Sequence, residues 1–305
     1  MRIAIFLEPE DSTNPGPSAG HINPVTAAVI ADLQGRGARV DLVVPEAACL
    51  DVATIRPEHD LYVLKSKTPL ALSVAGVLAM AGATIVNSVE SCQLIRDKVV
   101  TTALLARAGV PVPPSWATGD AALLGPLLKE GAVWVKPRQG SKGRGIRRLA
   151  DPAGFAAFLE TDQPSADASG LPLPVLVQRE VPSDGRDLKT YVVCDNVWAI
   201  AKPWPIRTIE DKYGVPSPLP PDIRGAALAC GRALGLEIYG VDFLVADGQF
   251  FVVDVNAMPG FRGPAEAPRR IAEHLYERAL RGGLGAQAPT TVVNPSFPKA
   301  LGVAL

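Results

Sequence analysis

The sequence predicts a parallel α/β unit followed by an α+β region, and three observations carry that expectation. From residue 1 to about 95, short apolar runs alternate with longer Ala- and Leu-rich segments, the pattern of parallel α/β construction. From Val175 the apolar runs resume as Val175–Gln178, Thr190–Val193 and Val197–Ala201, which read as antiparallel strands. Near the end, Val241, Phe243 and Val245 alternate with Asp242 and Leu244; the Asp247-Gly248 turn follows, and Phe250 to Val255 reads as a returning strand. A chain of 305 residues has room for about two domains. The apolar pattern changes near residue 95 and again at Val175, and the chain is read as 1–95, 96–174 and 175–285, with 286–305 as a tail.

In the first unit the strands are Ile3–Leu7, Val40–Val44, Leu61–Leu64 and Thr84–Val86. The helices between them are Pro24–Arg36, entered past Asn23 with proline in the opening turn, and Pro69–Ala81, which leaves at Gly82. Ser91–Ala108 reads as one further helix, closed by Gly109 and then by Pro111, Pro113 and Pro114, which cannot continue it. Ala132–Lys136 reads as a strand, Gly140–Gly145 as a loop and Asp151–Glu160 as a short helix. Thr161–Pro174, rich in Pro, Ser, Ala and Gly, reads as a connector, and Thr208–Pro221 as a mobile loop. Pro221–Leu234 has Asp222 in its first turn and Gly235 past its end, as a helix should, and Ala267–Leu280 is the last helix. Gly282–Leu305 is a Pro- and Gly-containing tail.

Several function classes are excluded early. At 48% hydrophobic and 20% charged, with a formal charge of −1, the composition is that of a soluble globular protein whose partners are small molecules rather than nucleic acid. No segment approaches about 20 uninterrupted apolar residues, so no membrane span is expected. Cys49, Cys92, Cys194 and Cys230 form no CxxC pair, and His21, His59 and His274 lie in separate regions without HExxH spacing, which argues for free thiols in a reducing cytoplasm and against a zinc site. The apolar stretch Ile3–Leu7 is too short for a signal peptide. Glu8-Pro-Glu-Asp-Ser-Thr-Asn-Pro-Gly-Pro follows the first strand where a dinucleotide fold would carry G-x-G-x-x-G.

Four stations carry chemistry. On the last hairpin, Asp254 and Asn256 share a face because they are two residues apart, and Asp242 can lie beside them. Such hard oxygen ligands suit Mg²⁺, which takes a few carboxylates and lets phosphates and water complete its shell. Lys136 ends an apolar strand and leads into Pro-Arg-Gln-Gly-Ser-Lys-Gly-Arg-Gly145, whose glycines admit backbone amides to a phosphate and whose cations neutralise it. This is no Walker A loop, since Ile146 follows Gly145, and by itself it reads equally as a solvated turn. Lys98, on a helix after Arg96-Asp97, is by itself an ordinary exposed lysine. Val175-Leu-Val-Gln178-Arg179-Glu180-Val181 runs from a core into a polar turn, where backbone groups can read an adenine edge and Asp187 can take ribose hydroxyls; alone, it is an exposed hairpin corner.

Taken in this order, Lys98, then Lys136 with the glycine loop, then Gln178–Asp187, then Asp242, Asp254 and Asn256, the chain resembles the ATP-grasp superfamily over nearly its whole length. The resemblance implies an ATP-grasp fold, α/β and α+β, with an N-terminal Rossmann-like pre-ATP-grasp domain over 1–95, a central subdomain over 96–174 and a C-terminal subdomain over 175–285. It makes Lys98 and Lys136 phosphate-binding lysines, and the loop with Gly140, Ser141, Gly143 and Gly145 a lid over the phosphates. Gln178, Arg179, Glu180 and Val181 would be the adenine-reading hinge, Asp187 the ribose ligand, Lys189 a further nucleotide contact, and Asp242, Asp254 and Asn256 the ligands of Mg²⁺ or Mn²⁺.

Asp254-Val-Asn-Ala-Met-Pro-Gly-Phe-Arg262 is similar to the RimK-type branch, whose members join a carboxylate to an amine and usually carry glutamate where this chain has Asp254. That resemblance implies an ATP-dependent ligase working through an acylphosphate and releasing ADP and phosphate. Lys136 and Arg262 would be its catalytic cations, Arg262 by holding a carboxylate or the acylphosphate bidentately. The same Asp-x-Asn, with Lys189-Thr-Tyr-Val-Val and Lys202-Pro, is also similar to inositol tris/tetrakisphosphate kinases; in that alternative the acceptor is a hydroxyl and Lys189, Lys202, Arg207 and Lys212 line its pocket, among Glu210 and Asp211. The loops near Ser18–Asn23, Lys65–Thr68 and Thr208–Pro221 are expected to shape the acceptor pocket. A homo-oligomer is compatible with the resemblance.

Overall fold

A computed structural model of the chain describes residues 1–9, 22–140, 143–161, 174–181, 183, 185–203, 208, 211, 213–246 and 248–283. Ser141, Arg207, Glu210, Lys212, Asp247, the tail 286–305, residues 18–21 of the first expected pocket loop and residues 162–173 of the expected connector lie outside the described residues.

The first sheet is parallel, with order β2-β1-β3-β4. Its elements are β1 (Arg2–Phe6), α1 (Pro24–Gly35), β2 (Arg39–Val43), β3 (Leu61–Leu64), α2 (Pro69–Met80) and β4 (Ile85–Val86). Leu61-Tyr-Val-Leu64 is buried at every position, as an unbroken apolar run in a parallel strand covered on both faces requires. Asn23 accepts from the Thr26 amide and Thr68 from that of Ala71, so each helix starts where a side chain satisfies an otherwise unpaired donor.

The single helix expected over Ser91–Ala108 is two: α3 (Val89–Leu94), capped by Ser88, and α4 (Lys98–Arg107). Asp97 breaks the run because its carboxylate accepts from the amides of Val99 and Val100, which favours a fresh helix start over continuation. Lys98 therefore sits in a first turn.

The second sheet, order β5-β8-β6-β7, is antiparallel and contains β5 (Ser115–Thr118), β6 (Val133–Pro137), β7 (Arg147–Leu149) and β8 (Val175–Arg179). With α5 (Gly125–Leu128) and α6 (Pro152–Thr161) it encloses a core of its own around Leu124, Val133, Val135, Leu149, Phe158, Val175 and Val177. The strands β5 and β7 and the helix α5 carry too little apolar periodicity to read from sequence.

The third sheet, order β11-β10-β9-β12-β13, is also antiparallel: β9 (Arg186–Val193), β10 (Asn196–Pro203), β11 (Val215–Pro216), β12 (Ile238–Ala246) and β13 (Gln249–Ala257), with α7 (Pro221–Leu234) against it. Strand β9 begins earlier than its apolar residues suggest, so Asp187 stands inside a strand rather than on a turn. Gly231 in α7 lets the helix close on Tyr239; a Cβ there would lie 2.1 Å from the phenol oxygen.

Helix α8 (Ala267–Gly283) returns to the first sheet, and Ile271, Leu275 and Ala279 share one core with Ile3, Ile5, Leu61, Val63, Tyr191 and Val193. A second shared core joins Ala4, Phe6, Tyr62 and Leu64 to Val241, Phe243, Val252 and Val255. Asn87, fully buried, seals the junction by donating to the Ile238 carbonyl and accepting from the amides of Glu237 and Ile238.

Candidate active site

Strands β12 and β13 bring the acids together. Asp242 and Asp254 stand directly opposite in register, Asn256 lies two residues on, and its amide donates to Asp254 at 3.0 Å and Asp242 at 3.5 Å. One strand further, Lys189 of β9 is in register with Asp242 and donates to both its carboxylate oxygens, at 2.7 and 2.8 Å. From the other side of the cleft Lys98 reaches Asp254 at 3.1 Å. The sequence expectation that the trio shares a face is met, and Lys98 and Lys189 arrive beside it.

Lys136 joins them by a feature invisible in sequence. The register of β12 and β13 shifts between Asp242 and Phe243, leaving Val253 as an extra residue, and Lys136 Nζ lies 3.4 Å from its carbonyl oxygen. Burial pushes Lys136 down to about 8, against the opposing pull of Asp254. Burial alone would raise Asp254, but Lys98, Lys136 and Lys189 outweigh it and hold the carboxyl below its usual value. For Lys189 burial pulls down, and Asp242 wins, so the ammonium is raised.

Asp187 also faces this group, since it is two residues from Lys189 on the same strand and opposite Leu244. Burial, then repulsion from Asp242, raises it to about 6. Its neighbours Lys202, Lys189 and Asp242 place it toward the acid cluster.

A cavity of about 240 Å³ opens between the first sheet and β13, lined among others by Lys65, Lys67, Arg96, Lys98, Arg144 and Asp254. Lys65 and Lys67 come from the loop between β3 and α2, the segment expected to shape an acceptor pocket. Lys65 Nζ meets the Met258 carbonyl and Lys67 Nζ meets Asn256 Oδ1, both at 3.4 Å. Burial lowers Lys65 to about 8, helped by Lys67, and lowers Lys67 as well. Gly140 and Arg144 bring the glycine loop to the same cavity. Gly143 and Gly145 hold φ of +70° and +72°, and a Cβ on Gly145 would lie 2.8 Å from the Pro137 ring, so the loop folds back over its strand only without a side chain there.

The residues expected to form a hinge stand apart from the acids, at the end of β8. Gln178 is buried, donates to Ser115 Oγ and leaves its Oε1 without a partner among the described residues. The amides of Arg179 and Glu180 are engaged by the Pro114 and Ala132 carbonyls. Their side chains are engaged too, Arg179 with Glu130, Leu127 and Gly131 and over the Trp116 ring, and Glu180 with Arg148 in a bidentate pair. Of the four residues expected to form a hinge, Val181 has a backbone N–H without a partner among the described residues. Arg262 is exposed, its guanidinium 5.3 Å from the Tyr213 ring centroid.

No protein-family model matches the chain. A probable alpha-L-glutamate ligase of Shewanella loihica is 26% identical over 268 residues, covering 80% of this chain and 87% of that protein. Among solved structures, a RimK domain ATP-grasp protein from Sphaerobacter thermophilus superposes with a TM-score of 0.69 at 19% identity, over 92% of this chain and 100% of that one. A D-alanine–D-alanine ligase from Bacillus anthracis, solved with ATP, gives 0.65 at 18% identity over 92% and 98%. The chain therefore has the ATP-grasp fold, and its three sheets with the acid hairpin are an instance of that class. Within that class the chain is similar to a probable alpha-L-glutamate ligase in sequence and to a RimK domain protein in structure. Among the described residues no helix is long and apolar enough to cross a membrane.

Proposed function

We propose that the chain joins a carboxylate to an amine with ATP, through an acylphosphate, releasing ADP and phosphate. The observation that carries this reading is the opposed pair Asp242 and Asp254, with Asn256, ringed by Lys98, Lys136 and Lys189 and open to a cavity with further cations. The donor set tests well for Mg²⁺: two carboxylates and an amide oxygen are hard ligands, too few to enclose an ion without phosphate and water. Mg²⁺, or Mn²⁺, held there would supply positive charge to the phosphoryl oxygens.

The chain's own residues do the rest. Lys98 and Lys136 neutralise phosphate, the loop of Gly140, Ser141, Gly143 and Gly145 covers it, and Lys189 holds the Asp242 carboxylate in place through both its oxygens. Gln178 offers its free Oε1 and Val181 its free N–H toward the base, with Arg179 and Glu180 fixing the hinge; Asp187 is the ribose ligand carried by the family resemblance. Arg262, on the loop after β13, holds a substrate carboxylate. Lys65 and Lys67 give the acceptor cavity its preference for an anion. The substrates are a small carboxylate, free or peptide-borne, and an amine, in the cytoplasm, with a homo-oligomer compatible with the fold. The kinase alternative has less support: Lys189 is committed to Asp242, and the relatives found are named as ligases.

The test is a screen of acids and amines for stimulated release of ADP and phosphate in equal amounts. Phosphate transferred instead to an alcohol would overturn the ligase reading in favour of the kinase.

A further inference from the structure

At the far end of the third sheet, the turn between β9 and β10 presents Cys194 beside helix α8. The thiol is exposed. Its sulfur lies 3.3 Å from His274 Nδ1 and 3.8 Å from Nε2, and that Nε2 lies 2.8 Å from Glu237 Oε2. Arg278 Nε meets the same carboxylate oxygen at 3.2 Å, and the Cys194 amide donates to the Glu237 carbonyl at 2.8 Å. The sulfur is thus near both ring nitrogens, over the imidazole rather than at the end of one nitrogen, and Glu237 holds the ring in place, so positive charge on the ring sits against the thiol. Cys194 follows Lys189 by five residues of one strand, about 17 Å at the usual strand rise, so this cluster is separate from the acid site.

The polar contact could simply dock α8, and the Glu237 pairs with His274 and Arg278 would suffice for that. Docking through Glu237 makes no use of Cys194, an exposed residue whose sulfur lies against the ring. The other thiols sharpen the contrast. Cys92 and Cys230 are buried and pushed up to about 12 by that burial, while Cys49 is exposed. Among the described residues no charged side chain hydrogen-bonds to the Cys49 thiol.

We propose that Cys194 is a nucleophilic thiol assisted by the His274 ring beside it, which takes up its proton, and that it is a modification site for a low-molecular-weight disulfide. The thiolate attacks one sulfur of R–S–S–R. A new S–S bond forms at Cys194, the original S–S bond breaks, and R–S⁻ leaves and takes the proton that His274 received from Cys194. Cys194 is oxidised to a mixed disulfide and the departing half is reduced to a thiol. Burial of the ring pulls His274 down, but Cys194 and Glu237 raise it to about 9 overall, consistent with an imidazolium at neutral pH. The charged groups facing the pair are Glu237 and Arg278, with Arg224 bound to the Asp195 carbonyl next to it.

The experiment is site-resolved labelling of the full chain with limiting iodoacetamide at pH 6.5, read by mass spectrometry, with Cys49 as internal control. Cys194 is expected to react about tenfold faster than Cys49, because thiolate content at that pH separates a paired thiol from a free one. Equal rates overturn the proposal. His274→Ala should bring Cys194 down to the Cys49 rate, and Glu237→Gln, a milder change to the α8 contact, should lower it part of the way; a Cys194 rate unchanged in both overturns the role of His274. Glutathione disulfide should give a mixed disulfide at Cys194 in preference to Cys49, and modification at both alike would refute the selectivity.

Discussion

Lys136 Nζ lies 3.4 Å from the carbonyl oxygen of Val253, the one residue of β13 that the bulge leaves without an opposite number on β12. A cation from the second sheet thus meets a backbone irregularity of the third, one residue from Asp254. The contact sets the distance between the lysine and the acids across the cleft.

Replacing Lys136 by methionine keeps the stem and removes the charge. ATP affinity should fall roughly 10- to 150-fold, the range of about 1.5–3 kcal/mol for a charge-assisted hydrogen bond. Calorimetric titration with ATP and magnesium checks it, and unchanged affinity would remove Lys136 from the phosphate site.

Nucleotide affinity should also depend on pH. Lys136 and Lys65 are depressed to about 8 in the free protein, and a bound polyphosphate favours their charged forms. Binding therefore takes up protons above pH 8, so affinity is greatest below that value and declines as pH rises through it. A flat profile between pH 7 and 9.5 would contradict this, and in Lys136→Met the decline should be shallower.

Asp242 is expected to matter for both folding and turnover. Its loss leaves Lys189, with a side chain only 10% exposed, without its partner, and breaking such a pair costs up to about 3 kcal/mol. Asp242→Ala should lower the urea midpoint and abolish magnesium-dependent turnover. Adding Lys189→Met should restore most of the stability and none of the activity; a double variant as unstable as the single one would show that the charge left behind is not the cause.

Asn87→Ala removes three hydrogen bonds at the buried junction with Ile238. Unsatisfied buried groups cost about 1–3 kcal/mol each, so a loss of at least about 2 kcal/mol is expected in equilibrium unfolding. Asn87→Asp, which keeps the two acceptor contacts, should fall between.

Gly231→Ala pits helix propensity against space. In an exposed helix the change gains about 1 kcal/mol. Here the new methyl meets the phenol of Tyr239, a residue 2% exposed and bonded to the Ala227 carbonyl, so the variant should be destabilised by about 1–3 kcal/mol. A higher melting temperature would show that Tyr239 moves aside freely.

Much of this molecule was legible in its sequence. Leu61–Leu64 and Pro221–Leu234 have the boundaries expected of them, because an unbroken apolar run and a helix ended by glycine are strong local signals. The acid trio was legible for the same reason, since strand periodicity fixes which side chains share a face. Asp97 was not, because an aspartate inside an apolar helical pattern reads as a surface position until its carboxylate is seen to cap Val99 and Val100. The Val253 bulge leaves no local trace at all, as it arises from pairing between strands. Lys65 and Lys67 were expected near a pocket, while their contacts with Met258 and Asn256, nearly two hundred positions away, depend on how the sheets assemble.

The sharing of apolar interiors has a mechanical consequence. Sheets one and three are fused through two common cores, whereas sheet two encloses its own. Polar bridges such as Lys98 N–H to the Arg138 carbonyl, Arg138 to Asp97, and Lys136 to Val253 tie it to the larger body. A tilt of the smaller piece would leave both common interiors intact and exchange these hydrogen bonds for water at the cost of uncovering little more than Leu176, so in the proposed reaction it is the jaw and the fused pair the anvil.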